Sequence, residues 1–285
     1  MSDEMKFKLS KKDIRLLILV GIACAILAYI KRPWFHKIEL ESVHYTCYST
    51  ATEAQTQQIL HMVEALYNSY ILFFPDLRIH KADKLKLKLY KDRDEFKSYN
   101  LETGWAEAFY KKPYCHQYYS EDEVNPYHWM IHEATHQLNA EVAQWDLEKW
   151  LDEGIAEYFS TSTLENGHLI LGKIDRNTYP IWWLSSLHLS GDLNKDIKET
   201  NIIPLKTIIT DSGGPNINKY FNLYYIHWWS LTHFLIHYED GRYKARFFGL
   251  VKEGGTLEAF EKQIGPVHKI QEQWYLYLQN FAKTL

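Results

Sequence analysis

The chain has 285 residues, 46% of them hydrophobic, enough to bury a sizeable core within one main domain. Its formal net charge is −4 and no long run of one sign occurs beyond the N-terminus, which argues against nucleic acid as a partner. The 10 Trp, 21 Tyr and 13 Phe point to an aromatic core, and three cysteines without a CxxC pair argue against a thiolate metal site.

Residues 1–13 read as a short tail. Leu16 to Ile30 carry no charge; Lys6, Lys8, Lys11, Lys12 and Arg15 precede them, and Lys31, Arg32, Pro33 and Trp34 follow. A single transmembrane anchor is expected over 14–32, short for a span, with Arg15 and Lys31 snorkelling and Trp34 and Phe35 at the interface. The leading cations favour an N-terminus inside and a C-terminal domain outside the cytoplasm, although Lys31 and Arg32 pull the other way. A cleaved signal peptide ending near Ala23-Cys24-Ala25, a lipid-modified Cys24 and a buried core helix are the alternatives. Cys47 and Cys115 are either bonded in an oxidising compartment or free and buried.

Ile38 to Cys47 partly alternates and reads as a strand. Thr50 with Glu53 fits a capping box that opens a helix whose buried stripe is Ile59, Val63, Leu66, Tyr67 and Tyr70. Lys84 to Lys91 alternates with period two, a strand with Leu85, Leu87 and Leu89 inward and solvated lysines outward rather than a basic binding patch. Asp92 to Tyr99 reads as a short helix and Trp105 to Tyr119 as one or two strands. From Pro126 onward the pattern is mostly helical. Strands with one long helix, followed by helices, make the fold class α+β.

Two segments carry the chemistry. In the first, Asn125 is a good N-cap and Pro126 suits the first helical position, with Tyr127, Ile131, Ala134 and Leu138 forming the buried face. His132 and His136, four residues apart, lie about 40° apart around that helix, so both imidazoles reach one Zn²⁺. Glu133 is placed to accept a proton from a metal-bound water. In the second, Leu151, Ile155, Tyr158 and Phe159 form another buried stripe, while Glu153 and Glu157 share a different face. Glu153 completes a His, His, Glu set with a fourth position open for water, and Glu157 is placed to accept the second ring N–H of His132 or His136. A merely solvated acidic helix face is the alternative. His128, one turn before the motif, reads as a site-lining or capping residue.

HExxH followed by W-L-x-E-G-x-A-E resembles the gluzincin zinc metallopeptidases, and more closely the peptidase MA-like family of envelope proteins. The likeness runs over most of residues 43 to 280. It takes in the lysine-alternating strand with Asp92-Arg93-Asp94-Glu95-Phe96, and the pattern Tyr225-x-x-x-Trp229-x-Leu231-x-His233-Phe234-Leu235. It ends in Gly265 and Trp274-x-x-Tyr277-Leu278. The resemblance implies a zincin-like domain over 36–285, with a sheet-containing part and HExxH helix in 36–140 and a helical part in 141–285. It implies Zn²⁺ held by His132, His136 and Glu153, Glu133 as general base, and an oxyanion donor for which Tyr225 is the first choice, ahead of Tyr224 and His227. The G-x-M-E-N motif of zinc aminopeptidases is absent, which argues against that activity. The expected protein is thus a membrane-anchored, single-pass zinc-dependent hydrolase acting on a peptide or protein, its extended substrate pairing with an edge strand from the Trp105–Tyr119 region. A zinc-binding envelope protein that cleaves nothing, and a membrane-tethered interaction protein without metal, are the competing readings.

Overall fold

A computed structural model describes residues 10–30, 32–80, 83–104 and 106–284. The first helix, α1 (Lys11–Ile30), is capped by Ser10, whose hydroxyl accepts the Asp13 N–H while the Asp13 carboxylate accepts the Ser10 N–H. The helix therefore starts inside the expected tail; residues 1–9 of that tail, like Lys31 and Trp105, lie outside the described residues. Among the described residues no helix is long and apolar enough to cross a membrane, so the span expected over 14–32 is not supported. Four charged side chains occupy the first five positions of α1. Leu16–Ile30, fifteen residues, covers about 22 Å against a hydrocarbon core of about 30 Å. Just beyond it, the Arg32 guanidinium lies over the rings of Tyr29 and Tyr99, 4.1 and 4.2 Å from their centroids, and donates to Ser98 Oγ.

Strands β1 (Ile38–Glu41) and β2 (Tyr45–Ser49), helix α2 (Glu53–Phe73), strand β3 (Leu85–Tyr90), helix α3 (Arg93–Tyr99) and strands β4 (Ala108–Lys111) and β5 (Tyr114–Tyr118) follow. The strands make one five-stranded sheet in the order β1-β2-β3-β5-β4. β2, β3 and β5 run parallel, and β1 and β4 are antiparallel edges. Leu85, Leu87 and Leu89 are buried as their alternation requires, alongside Tyr45, Cys47 and Cys115. Ile59, Val63, Leu66 and Tyr70 of α2 share that core. Cys47 pairs with Leu87 and Leu87 with Cys115, so the two cysteines stand two strand spacings apart, about 9.6 Å, beyond disulfide reach. Both are free and buried. The capping box of α2 sits two residues later than expected, on Thr52 and Gln55. Thr50 is committed elsewhere: its hydroxyl accepts the Lys91 N–H and its own N–H donates to the Leu89 carbonyl, tying β2 to β3.

Next come α4 (His128–Gln137), a π-wound turn over Leu138–Ala143, α5 (Lys149–Ser160) and a hairpin of β6 (Ser162–Glu165) and β7 (His168–Ile174). The hairpin interrupts the region expected to be helical. Its turn is Asn166-Gly167, both at positive φ (50° and 78°), the pair that fits a tight hairpin turn. The rest is helical: α6 (Leu193–Lys198), α7 (Leu205–Thr210), α8 (Ile217–His237), α9 (Lys244–Lys252), α10 (Leu257–Gln263) and α11 (Val267–Thr284). The central crossing is α5 on α8, and Gly154 permits it. A Cβ there would stand 2.2 Å from Thr232 Oγ1 and 2.8 Å from the Trp228 carbonyl oxygen. Because Gly154 follows Glu153 directly, this close approach also brings the acidic face of α5 beside Tyr225 of α8.

Candidate metal centre

α4 packs against β4 and β5 on one side and α5 on the other. Its N-cap is Tyr127, two residues after the expected Asn125. Asn125 Oδ1 instead accepts the Tyr127 N–H two residues on, and its Nδ2 donates to Asp175, so its side chain organises the loop before the helix. Ile131, Ala134 and Leu138 are fully buried, Tyr127 only partly. That packing turns His132, Glu133 and His136 toward α5 and a cleft of about 370 Å³. On α5 the buried stripe Leu151, Ile155, Tyr158 and Phe159 forms as expected, leaving Asp152 and Glu153 to face the same cleft.

The structure brings the three expected ligands together. His132 Nε2 and His136 Nε2 are 3.0 Å apart, and Glu153 Oε2 lies 3.4 Å from the first and 3.7 Å from the second. Ligand atoms about 2.1 Å from a tetrahedral ion are about 3.4 Å from one another, so this triangle has the size of one face of such a site. The outer nitrogens are already engaged. His132 Nδ1 lies 3.2 Å from Glu157 Oε1 and His136 Nδ1 lies 2.9 Å from Asp152 Oδ2. Carboxylates only accept, so both rings carry a proton on Nδ1, and each ring in its neutral form turns a lone pair on Nε2 into the triangle. Glu153 Oε2, buried and without a hydrogen-bond partner, faces the same point. With both rings neutral, three lone pairs meet with no donor among them, an arrangement that a cation relieves, and nitrogen and oxygen donors suit Zn²⁺.

The charges agree. Burial disfavours the charged form of His132, but the Glu157 and Glu153 carboxylates outweigh it and hold the pKa at about 10. Burial acts the same way on His136, where Asp152 and Glu153 outweigh it and raise the pKa well above the usual imidazole range. Burial alone would raise Glu153, yet the two imidazoles hold it far below the usual carboxylate range. Glu133 moves the other way: burial raises it, only partly offset by His132 and His136.

Tyr225 lines the cleft with its ring 6.3 Å from that of His132, wedged between Tyr179 and Trp228. The other two donors considered are turned away. Tyr224 donates to the Pro215 carbonyl, and His227 is buried against Trp274 with Nε2 accepting the Ile203 N–H. His128 is buried outside the cleft lining, its Nδ1 donating to the Asn125 carbonyl and lying 3.3 Å from Glu123; it anchors the loop before α4. Sequence reasoning missed Asp152, Asn139 and the β4 residues Phe109 and Tyr110, all of which line the cleft. Asp152 was findable, because two ligating imidazoles need two ring N–H acceptors and Glu157 serves only one of them.

The family described as "Protein of unknown function (DUF1570)" matches residues 128–250, a segment that begins at the first residue of α4 and takes in all three expected ligand positions and Tyr225. No curated protein matches the chain.

Proposed function

We propose that this protein is a zinc-dependent hydrolase of peptide bonds, with Zn²⁺ held by His132, His136 and Glu153. The observation that carries the reading is the triangle of two imidazole nitrogens and one partnerless carboxylate oxygen, within 3.7 Å of one another. Bound zinc supplies Lewis acidity and lowers the pKa of a water to about 7. Glu133, its basicity raised by burial, takes the proton from the attacking water and hands it to the leaving amine. The Tyr225 hydroxyl donates to the carbonyl oxygen as that oxygen gains charge. Asp152 and Glu157 keep the two imidazoles in register. β4 is an edge strand whose Phe109 and Tyr110 line the cleft, so an extended peptide can add to the sheet beside Glu133.

The test is hydrolysis of a mixed peptide library by the zinc-loaded protein. Glu133→Gln lowers the rate by about 10²–10⁴ while the bound zinc stays at the wild-type level. A rate unchanged in Glu133→Gln removes the hydrolase reading.

The same reading places the protein at a membrane through α1. Leu16, Leu17, Ile18, Leu19 and Val20 are consecutive and all exposed, so the helix is apolar around its circumference, which suits a lipid setting. The full chain then sediments with membranes, and a chain lacking residues 1–30 does not; equal partitioning of the two defeats this placement.

A further inference from the structure

A line of hydrogen bonds runs from the core to the proposed metal ligand. Tyr70 of α2, fully buried, donates its hydroxyl to Asn139 Oδ1 at 2.6 Å. Asn139 Nδ2 donates to Asp152 Oδ1 at 2.7 Å, and Asp152 Oδ2 receives His136 Nδ1 at 2.9 Å. The direction is fixed by chemistry: a carboxylate only accepts, so the Asn139 amide nitrogen faces Asp152, its oxygen faces Tyr70, and the phenol must donate.

Each link is held from outside the line. The Tyr70 ring is packed against Phe74, Trp145 and Phe159, with centroids 4.9, 5.9 and 5.5 Å away. Asn139 lies in the π-wound turn after α4, where its carbonyl accepts the N–H groups of Gln144 and Trp145. Such turns concentrate at functional sites because they re-aim side chains out of helical register. Asp152 is the loose member, its side chain still 35% exposed in the cleft. Without Asn139 its carboxylate is free to turn to water and leave the His136 ring N–H unheld.

We propose that Tyr70 is a positioning residue for the metal ligand His136, acting through Asn139 and Asp152. This rests on the metal reading above and adds a residue 66 positions upstream of the ligand that it orients. The π-wound turn then has a structural role, which is to present the Asn139 amide between a phenol in the core and a carboxylate in the cleft.

Zinc affinity of the full chain, measured by competition with a chelator, tests the relay. Tyr70→Phe keeps the ring and deletes the hydroxyl; affinity falls about 10-fold, the low end for groups that support a ligand from outside. Asp152→Ala lowers affinity about 10–100-fold, and adding Tyr70→Phe to it changes nothing further, because the line is already cut. Should Asp152→Ala fail to fold, Asn139→Ala replaces it as the cut. Wild-type affinity in Tyr70→Phe, or the same further loss in the cut background, overturns the relay and leaves the metal site standing. A wild-type chain that takes up no zinc overturns both.

Discussion

His132 and His136 on α4 repeat the spacing of His233 and His237 on α8, and the rings within each pair have centroids 4.8 and 4.5 Å apart. Their surroundings differ. The α4 pair is met by three acids of α5, with Glu133 beside it, and Glu157 and Asp152 take the outer ring nitrogens. The α8 pair is met by hydroxyls: Tyr277 against His233 Nδ1 at 2.7 Å and Tyr158 against His237 Nε2 at 2.9 Å. Burial therefore wins at His233 and, helped by the neighbouring His237, pushes its pKa down to about 3, whereas carboxylates hold His132 at about 10. A histidine pair four apart on a helix is only an opportunity. The acidic helix crossing it separates the proposed cation site from a neutral core contact.

The comparison is broken most severely by deleting one histidine from each pair. His136→Ala removes stoichiometric zinc; His237→Ala leaves zinc uptake intact and costs about 1–2 kcal/mol of stability through the orphaned Tyr158 hydroxyl. Metal analysis and thermal denaturation of the two variants read both effects, and zinc loss in His237→Ala contradicts the assignment.

A smaller effect sharpens it. The pKa of His233 is lowered on folding, so the unfolded chain binds the extra proton between pH 6.5 and about 3. The stability from keeping this imidazole neutral is complete above pH 6.5 and drains away below it, by at most about 1.4 kcal/mol per pH unit. Denaturant midpoints of wild type and His233→Gln from pH 7 to 4 then converge as pH falls. Parallel lines place the acid sensitivity in other groups.

What was legible in the sequence followed from fixed periodicities. His132, His136, Glu153 and Glu157 were readable because helical spacing alone puts each on a defined face, and Leu85, Leu87 and Leu89 because a strand alternates. The membrane span is not supported because charges to Arg15 leave only fifteen apolar residues. The caps slipped by two residues because Thr50 and Asn125 satisfy other backbone and side-chain groups. The β6–β7 hairpin was legible in Asn166-Gly167, whose preference for positive φ outweighs the apolar pattern around it. The pairing of Tyr70 with Asn139, 69 residues apart, leaves no local trace, since only the packing of α2 against α4 brings them together.

The most direct measurement is the zinc content of the purified full chain beside Glu153→Ala, after equilibration with zinc and removal of the excess. One zinc per wild-type chain, lost when the single α5 carboxylate is removed, is the predicted result. Equal zinc in the two proteins, or none in the wild type, contradicts a centre built from His132, His136 and Glu153.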